Sequence, residues 1–133
     1  MPDRDQEIID SLRRTYEAIS RGDFDTAIEI AHPEIVFVLQ GGQKALRGAP
    51  AVRAWMEPDA FEEQRFEIRE FRINGNKVLV RQHVWARGAG SGIEMELDQW
   101  VVWTVDDDGL ITRMEGFLPH QEAEALEAAG LSE

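Results

Sequence analysis

Lys77-Val-Leu-Val-Arg-Gln-His-Val-Trp-Ala-Arg87, Gly88-Ala-Gly-Ser-Gly92 and Ile93-Glu-Met-Glu-Leu-Asp-Gln-Trp-Val-Val-Trp-Thr-Val105 together decide the fold. Two long runs with a two-residue period, rich in valine and aromatic residues, flank a glycine-rich turn, which is the pattern of an antiparallel hairpin. The pattern extends on both sides. A strand over roughly 64–73 enters through Asn74-Gly75, a two-residue hairpin signal. Asp106-Asp107-Asp108-Gly109 leads out into a last strand, Leu110 to Leu118. Successive hairpins of this kind build an antiparallel sheet.

Upstream the period changes to that of helices. In residues 5–21, Ile8, Leu12, Thr15, Tyr16 and Ile19 share one face, and Gly22 supplies a left-handed stop. Asp23 caps a second short helix that buries Phe24, Ala27, Ile28 and Ala31, and His32-Pro33 ends it. Ile35 to Leu39 reads as a strand apolar on both faces. Gly41-Gly42 turns the chain, Gly48-Ala49-Pro50 opens a third helix with Val52, Trp55 and Met56 on its apolar face, and Pro58 closes it. Gln121 to Ala129 forms a terminal helix stopped at Gly130. The order α-α-β-α-β-β-β-β with a short C-terminal helix predicts one α+β domain over 1–133, its helices covering one face of the sheet.

The hairpin register decides which side chains face the helices. A five-residue loop, Gly88 to Gly92, places Arg87 opposite Ile93, and a loop one residue shorter or longer reverses the parity. With five, Trp85 lies across from Met95, His83 from Leu97 and Arg81 from Gln99. The inner face then collects Arg81, His83, Trp85, Met95, Leu97, Gln99 and Trp103. This is an apolar chamber with a small polar set, the usual make-up of a small-molecule pocket, joined by Tyr16 and Trp55 from the helices. The opposite face would hold Val80, Val84, Trp100 and Val102, too apolar to be wetted, and is expected to pair two copies of the chain as a homodimer.

Among these residues His83 is the candidate acid or base and Arg81 the candidate anchor for an oxyanion. A strand histidine satisfied by a neighbour, and an arginine paired with a glutamate at the sheet margin, are the competing readings. For Tyr16 a core role is the more frequent explanation, and plain core packing explains Trp55, Trp85 and Trp103 as well. Residues 104–115 approach a calcium loop, but Thr104 stands at the first ligand position and strands flank it, so the acidic turn reads as a hairpin. Gly88, Gly90 and Gly92 lack the spacing and the following helix of a phosphate loop. His32, His83 and His120 share no metal-ligand spacing. Neither metal nor cofactor is expected.

Composition narrows the partners. Lys plus Arg number 14 against 26 Asp plus Glu, a net charge of −12, which disfavours nucleic acid and anionic membrane surfaces. There is no cysteine, hence no disulfide and no thiolate chemistry. Without a basic-then-apolar leader or a run long enough to span a bilayer, the expected location is the cytoplasm.

The segment from Tyr16-Glu-Ala-Ile-Ser-Arg-Gly-Asp-Phe-Asp25 through His32-Pro-Glu-Ile-Val-Phe37 resembles the opening of SnoaL-like proteins. These belong to the superfamily of nuclear transport factor two and the ketosteroid isomerases. Gly90-Ser-Gly-Ile-Glu-Met-Glu96, Trp103-Thr-Val105, Asp108-Gly-Leu-Ile-Thr-Arg113 and Glu124-Ala-Leu-Glu-Ala-Ala-Gly-Leu131 extend the resemblance. It implies a cone-shaped fold, a curved antiparallel sheet wrapped around N-terminal helices, with an apolar cavity and frequent dimers. Relatives include isomerases, cyclases, epoxide hydrolases, dehydratases and plain binding domains. The isomerases' carboxylate base would fall in Val38-Leu39-Gln40, their helix tyrosine at Thr15 beside Tyr16, and their strand carboxylic acid near Asp98, expected to face outward. The epoxide hydrolases' arginine–aspartate pair meets Glu115 and Gly116. Two readings stand: cofactor-independent acid–base chemistry (isomerase, cyclase or dehydratase type) on a hydrophobic, oxygenated small molecule, or a non-catalytic ligand-binding or protein-association domain.

Overall fold

The apolar stripe of the first helix winds into α1 (Arg4–Ser20), burying Leu12, Thr15 and Tyr16, in the computed structural model, which describes residues 4–39, 44–56 and 61–131. Asp23 caps α2 (Phe24–Ala27) by accepting the Thr26 N–H at 3.3 Å. This helix is shorter than its sequence suggests: a 3-10 turn (Ile28–Ile30) follows at once, then β1 (Ala31–Val38). His32-Pro33 therefore lies inside a strand. Proline has no N–H for a ladder, and the register of β1 shifts between Ala31 and Val36, on either side of it. A short β2 (Ala45–Arg47), not anticipated, pairs antiparallel with β1. Next comes α3 (Ala49–Met56), with Val52 buried. Gly41-Gly42 and Pro58 lie outside the described residues.

The strands β3 (Phe61–Asn74), β4 (Lys77–Gly88), β5 (Glu94–Val105) and β6 (Ile111–Phe117) form the expected meander. Between β5 and β6, one Asp106 carboxylate oxygen accepts the N–H groups of Asp108 and Leu110, both at 2.9 Å, which holds the acidic turn as a hairpin. The terminal helix is α4 (Glu122–Ala128), closed by a bond from the Leu131 N–H to the Leu126 carbonyl at 2.8 Å.

The six strands lie in the order β2-β1-β6-β5-β4-β3. The β1–β6 pair is parallel, so the sheet is mixed and not antiparallel throughout. Tight turns specify only the pairing of consecutive strands, and β1 joins the sheet through a long connection that carries no such signal. On one face lies the main core: Ile8, Leu12 and Tyr16 of α1 against Ile35, Val78, Val80, Val101 and Trp103. On the other face α4 covers Leu79 and Val102 with Ala125 and Ala129.

The β4–β5 register departs from expectation by one residue. Gly88 still belongs to the ladder, its N–H bonded to the Ile93 carbonyl at 2.8 Å, so the turn is Ala89 to Gly92. A Cβ at Gly88 would stand 2.5 Å from the Ser91 hydroxyl oxygen, so a larger residue here would require the Ser91 side chain to turn away. Arg87 consequently faces Glu94, with Trp85 opposite Glu96, His83 opposite Asp98 and Gln82 opposite Gln99. The inward set on β4 is Val78, Val80, Gln82, Val84 and Ala86, all buried. Arg81, His83 and Trp85 point the other way. On β5, Val101 and Trp103 of the expected inward set lie in the main core and Gln99 faces Gln82, whereas Met95 is exposed. The proposed pairing face is thereby split: Val80 and Val84 are inside, while Trp100 and Val102 lie outside against α4.

Candidate ligand cavity

Between α1 and the inner sheet face lies a cavity of about 420 Å³. Its walls are apolar: Ile28, Ile35, Phe37, Phe66, Val101 and Met114 all contribute, with Trp55 and Met56 from α3. Phe37 meets Trp55 and Trp103 edge-on, ring centres 5.9 and 6.0 Å apart. The polar groups are few and neutral: Thr15, Tyr16, Gln64, Gln82 and the Trp103 indole N–H. Thr15 is turned back into its own helix, donating to the Ser11 carbonyl at 3.0 Å.

Tyr16, Gln82 and Trp103 are wired together. The Tyr16 hydroxyl donates to Gln82 Oε1 at 2.5 Å, and Trp103 Nε1 donates to the Tyr16 oxygen at 3.3 Å. Gln82 Nε2 donates to Gln99 Oε1 at 2.8 Å. Burial raises the Tyr16 phenol well above its usual pKa, and the Trp103 hydrogen bond offsets this only in part. The phenol is a neutral hydrogen-bonding group at any physiological pH. No Asp, Glu, His, Lys or Arg is found among the described lining residues.

Of the residues expected in the pocket, Tyr16, Trp55 and Trp103 line it. Gln99 touches it through Gln82, while Leu97 and Met95 sit farther along the inner side of β5 and Met95 is exposed. Arg81, His83 and Trp85 are absent, a correction that follows from the register. Their surroundings are a charged outer face. His83 Nδ1 is 2.8 Å from Asp98 and Nε2 is 2.8 Å from Glu96. Arg81 bridges Glu70 at 2.5 Å and Asp98 at 2.9 Å. Trp85 lies between the Arg65 and Arg87 guanidiniums, 4.9 and 5.5 Å from its ring centre, and donates to Glu94. Asp98 does face outward, as expected.

The hydrogen bonds to Asp98 and then to Glu96 raise the His83 pKa above 6.5, against desolvation and Arg69. The same bond to His83 is the main cause that lowers Asp98, against desolvation. A raised histidine stabilises fully below its unfolded value and loses this contribution as pH rises through its folded pKa; the lowered aspartate loses its own as pH falls. His83→Gln should therefore cost most in mildly acidic solution, about 1 kcal/mol or less for so exposed a pair, and nothing above the folded pKa. Urea unfolding at pH 5.5 and pH 9 measures this, and an equal cost at both refutes it.

The arrangement of α1 to α4 around a curved mixed sheet is matched by known proteins. The SnoaL-like domain family matches residues 12–114. The chain belongs to that family. No curated protein matches its sequence. Among solved structures, TerC co-crystallised with polyporic acid superposes with a TM-score of 0.73 at 22% identity, covering 90% of this chain and 98% of that one. RV0760c from Mycobacterium tuberculosis, in complex with estradiol-17β-hemisuccinate, gives 0.71 at 15%, covering 82% and 91%. A Δ5-3-ketosteroid isomerase from Mycobacterium sp. gives 0.72 at 15%, covering 86% and 94%. At these identities the likeness establishes this SnoaL-like protein's fold. Among its described residues no helix is long and apolar enough to cross a membrane.

Sequence reasoning missed Gln82, the centre of the polar cluster, along with Phe37, Phe66 and Met114. The signal was available in β4 itself. Val78, Val80, Val84 and Ala86 alternate with Arg81, His83 and Arg87, and that contrast alone places Gln82 inside.

Proposed function

We propose that this SnoaL-like protein binds a small, uncharged, ring-containing molecule in its cavity, with one ligand oxygen held at Tyr16. The observation that carries this is the lining: apolar and aromatic walls around a neutral Tyr16–Gln82–Trp103 cluster, with no ionised group among the described lining residues. A volume of about 420 Å³ suits a ligand of two to four fused rings. The ligands crystallised with TerC and RV0760c, polyporic acid and estradiol-17β-hemisuccinate, support a small oxygenated ligand; both carry acidic groups, so the uncharged part of the reading rests on this cavity's own lining. No proton transfer belongs to the proposal. A general base must reach the proton it removes, and His83, the residue expected to do so, lies across the sheet in a carboxylate clasp.

Titration of the tryptophan fluorescence tests this with fluorene, 9-fluorenone and fluorene-9-carboxylate. The neutral compounds should bind saturably and the carboxylate at least about tenfold more weakly, since its charge would be desolvated without a cation. Absence of neutral binding, or preference for the anion, sinks the reading. Pairing of two copies, expected from an apolar outer face of Val80, Val84, Trp100 and Val102, remains a proposal for the outer side of the sheet, now without Val80 and Val84, which are buried inside. Sedimentation equilibrium at micromolar concentration checks it, and a monomer removes it.

A further inference from the structure

We infer that Gln82 and Gln99 form a reversible amide relay that lets this cavity read either a ligand hydroxyl or a ligand carbonyl at Tyr16; the inference rests on the ligand-binding reading above. A phenol has one proton to give and lone pairs to accept with. In this structure the Tyr16 proton goes to Gln82 Oε1 and the Trp103 indole N–H occupies one acceptor position. What remains toward the cavity is an acceptor. A ligand hydroxyl can donate to it, whereas a ligand carbonyl placed at Tyr16 finds no proton there, the Gln64 amide being a separate group of the lining.

The chain of amides has a second arrangement with the same number of hydrogen bonds. If both amides turn over, Gln99 Nε2 donates to Gln82 Oε1 and Gln82 Nε2 donates to the Tyr16 oxygen. The Trp103 bond is kept, and the Tyr16 proton is released toward the cavity for a carbonyl. Amide oxygen and nitrogen are nearly the same size, so packing around Gln82 is unchanged. Gln82 is buried at 7% exposure and must keep its partners. Gln99 is half-buried, its amide bonded to Gln82 alone among the described residues, so water can satisfy whichever end it turns outward. The two face each other across β4 and β5, so each amide remains in reach in both states. Position 99 thus sets the polarity that Tyr16 presents, although it does not line the cavity itself.

Two substitutions lock the relay in opposite senses. Gln99→Glu, ionised at pH 7.5, only accepts, fixing Gln82 Oε1 on the Tyr16 proton and favouring a hydroxyl. Gln99→Lys only donates, reversing Gln82 and favouring a carbonyl. Binding of 9-fluorenol and 9-fluorenone, with fluorene as the unsubstituted reference, is measured by fluorescence for wild type and both variants. The alcohol-to-ketone affinity ratio should move about tenfold up in Gln99→Glu and about tenfold down in Gln99→Lys, the worth of one buried hydrogen bond. Fluorene keeps the two ideas apart. If wild type fails to bind it, the ligand-binding reading falls. If all three proteins bind it and the ratio stays put, or moves the same way in both variants, the relay falls. Infrared spectroscopy needs no variant: the carbonyl stretch of fluorenone bound to wild type should lie below its value in hexane, and an unshifted stretch also overturns the relay.

Discussion

Trp103→Ala should lower the free energy of unfolding by about 3–5 kcal/mol, the usual cost of truncating a buried tryptophan. Trp103 is 6% exposed, stands edge-on to Tyr16 and Phe37, and holds the Tyr16 oxygen through its indole N–H. Its loss opens the cavity floor and leaves an acceptor position on Tyr16 unfilled. Domains of this size have roughly 5–15 kcal/mol in all, so the variant should remain folded at 25 °C with a midpoint lowered by roughly 10–20 °C. Urea unfolding followed by circular dichroism gives the number, and a cost below about 1 kcal/mol would mean that Trp103 is not core. Trp103→Phe separates the two contributions, keeping most of the ring contact while losing the donor.

Val80→Asp is expected to abolish folding at neutral pH, whereas Arg81→Gln, one residue along, should leave the protein folded with a nearly unchanged thermal midpoint. Val80 is fully buried under α1, where a carboxylate would have neither water nor a counter-charge, a penalty of several kcal/mol. Arg81 is partly exposed among Glu70 and Asp98, and surface pairs contribute little. The contrast tests the β4–β5 register directly. A five-residue turn would exchange the two outcomes. Expression in soluble form and a cooperative thermal transition are sufficient readouts.

Much of the architecture was legible because short-range chemistry writes it. Asp23, Asp106 and Gly130 mark a cap, a turn and a stop, and the structure uses each as the sequence implied. The face of β5 was legible too, since Val101 and Trp103 leave no choice. What failed was the transfer of that face across a turn. Counting Gly88 as loop instead of ladder moved Arg81, His83 and Trp85 from outside to inside and hid Gln82. One residue of register decided the chemistry assigned to the cavity. The parallel β1–β6 pair was illegible for another reason: it depends on packing between segments far apart in the chain, and no local motif encodes it. Asp98 and Glu96 were likewise unrecognised as partners of His83, because their pairing follows from the same register.

The β1–β6 pair also orders events during synthesis. The strand that carries Ile35 and Phe37 finds its sheet neighbour only when Arg113 to Glu115 has left the ribosome. Until then β1 and β2 form a ribbon without a sheet to join, and α1 has only part of the surface that finally covers Leu12 and Tyr16. The meander from β3 to β6 has near neighbours throughout and can close as it emerges. β1, made early, therefore waits longest for its sheet neighbour, and until β6 emerges its Ile35 and Phe37 have no strand beside them on that edge.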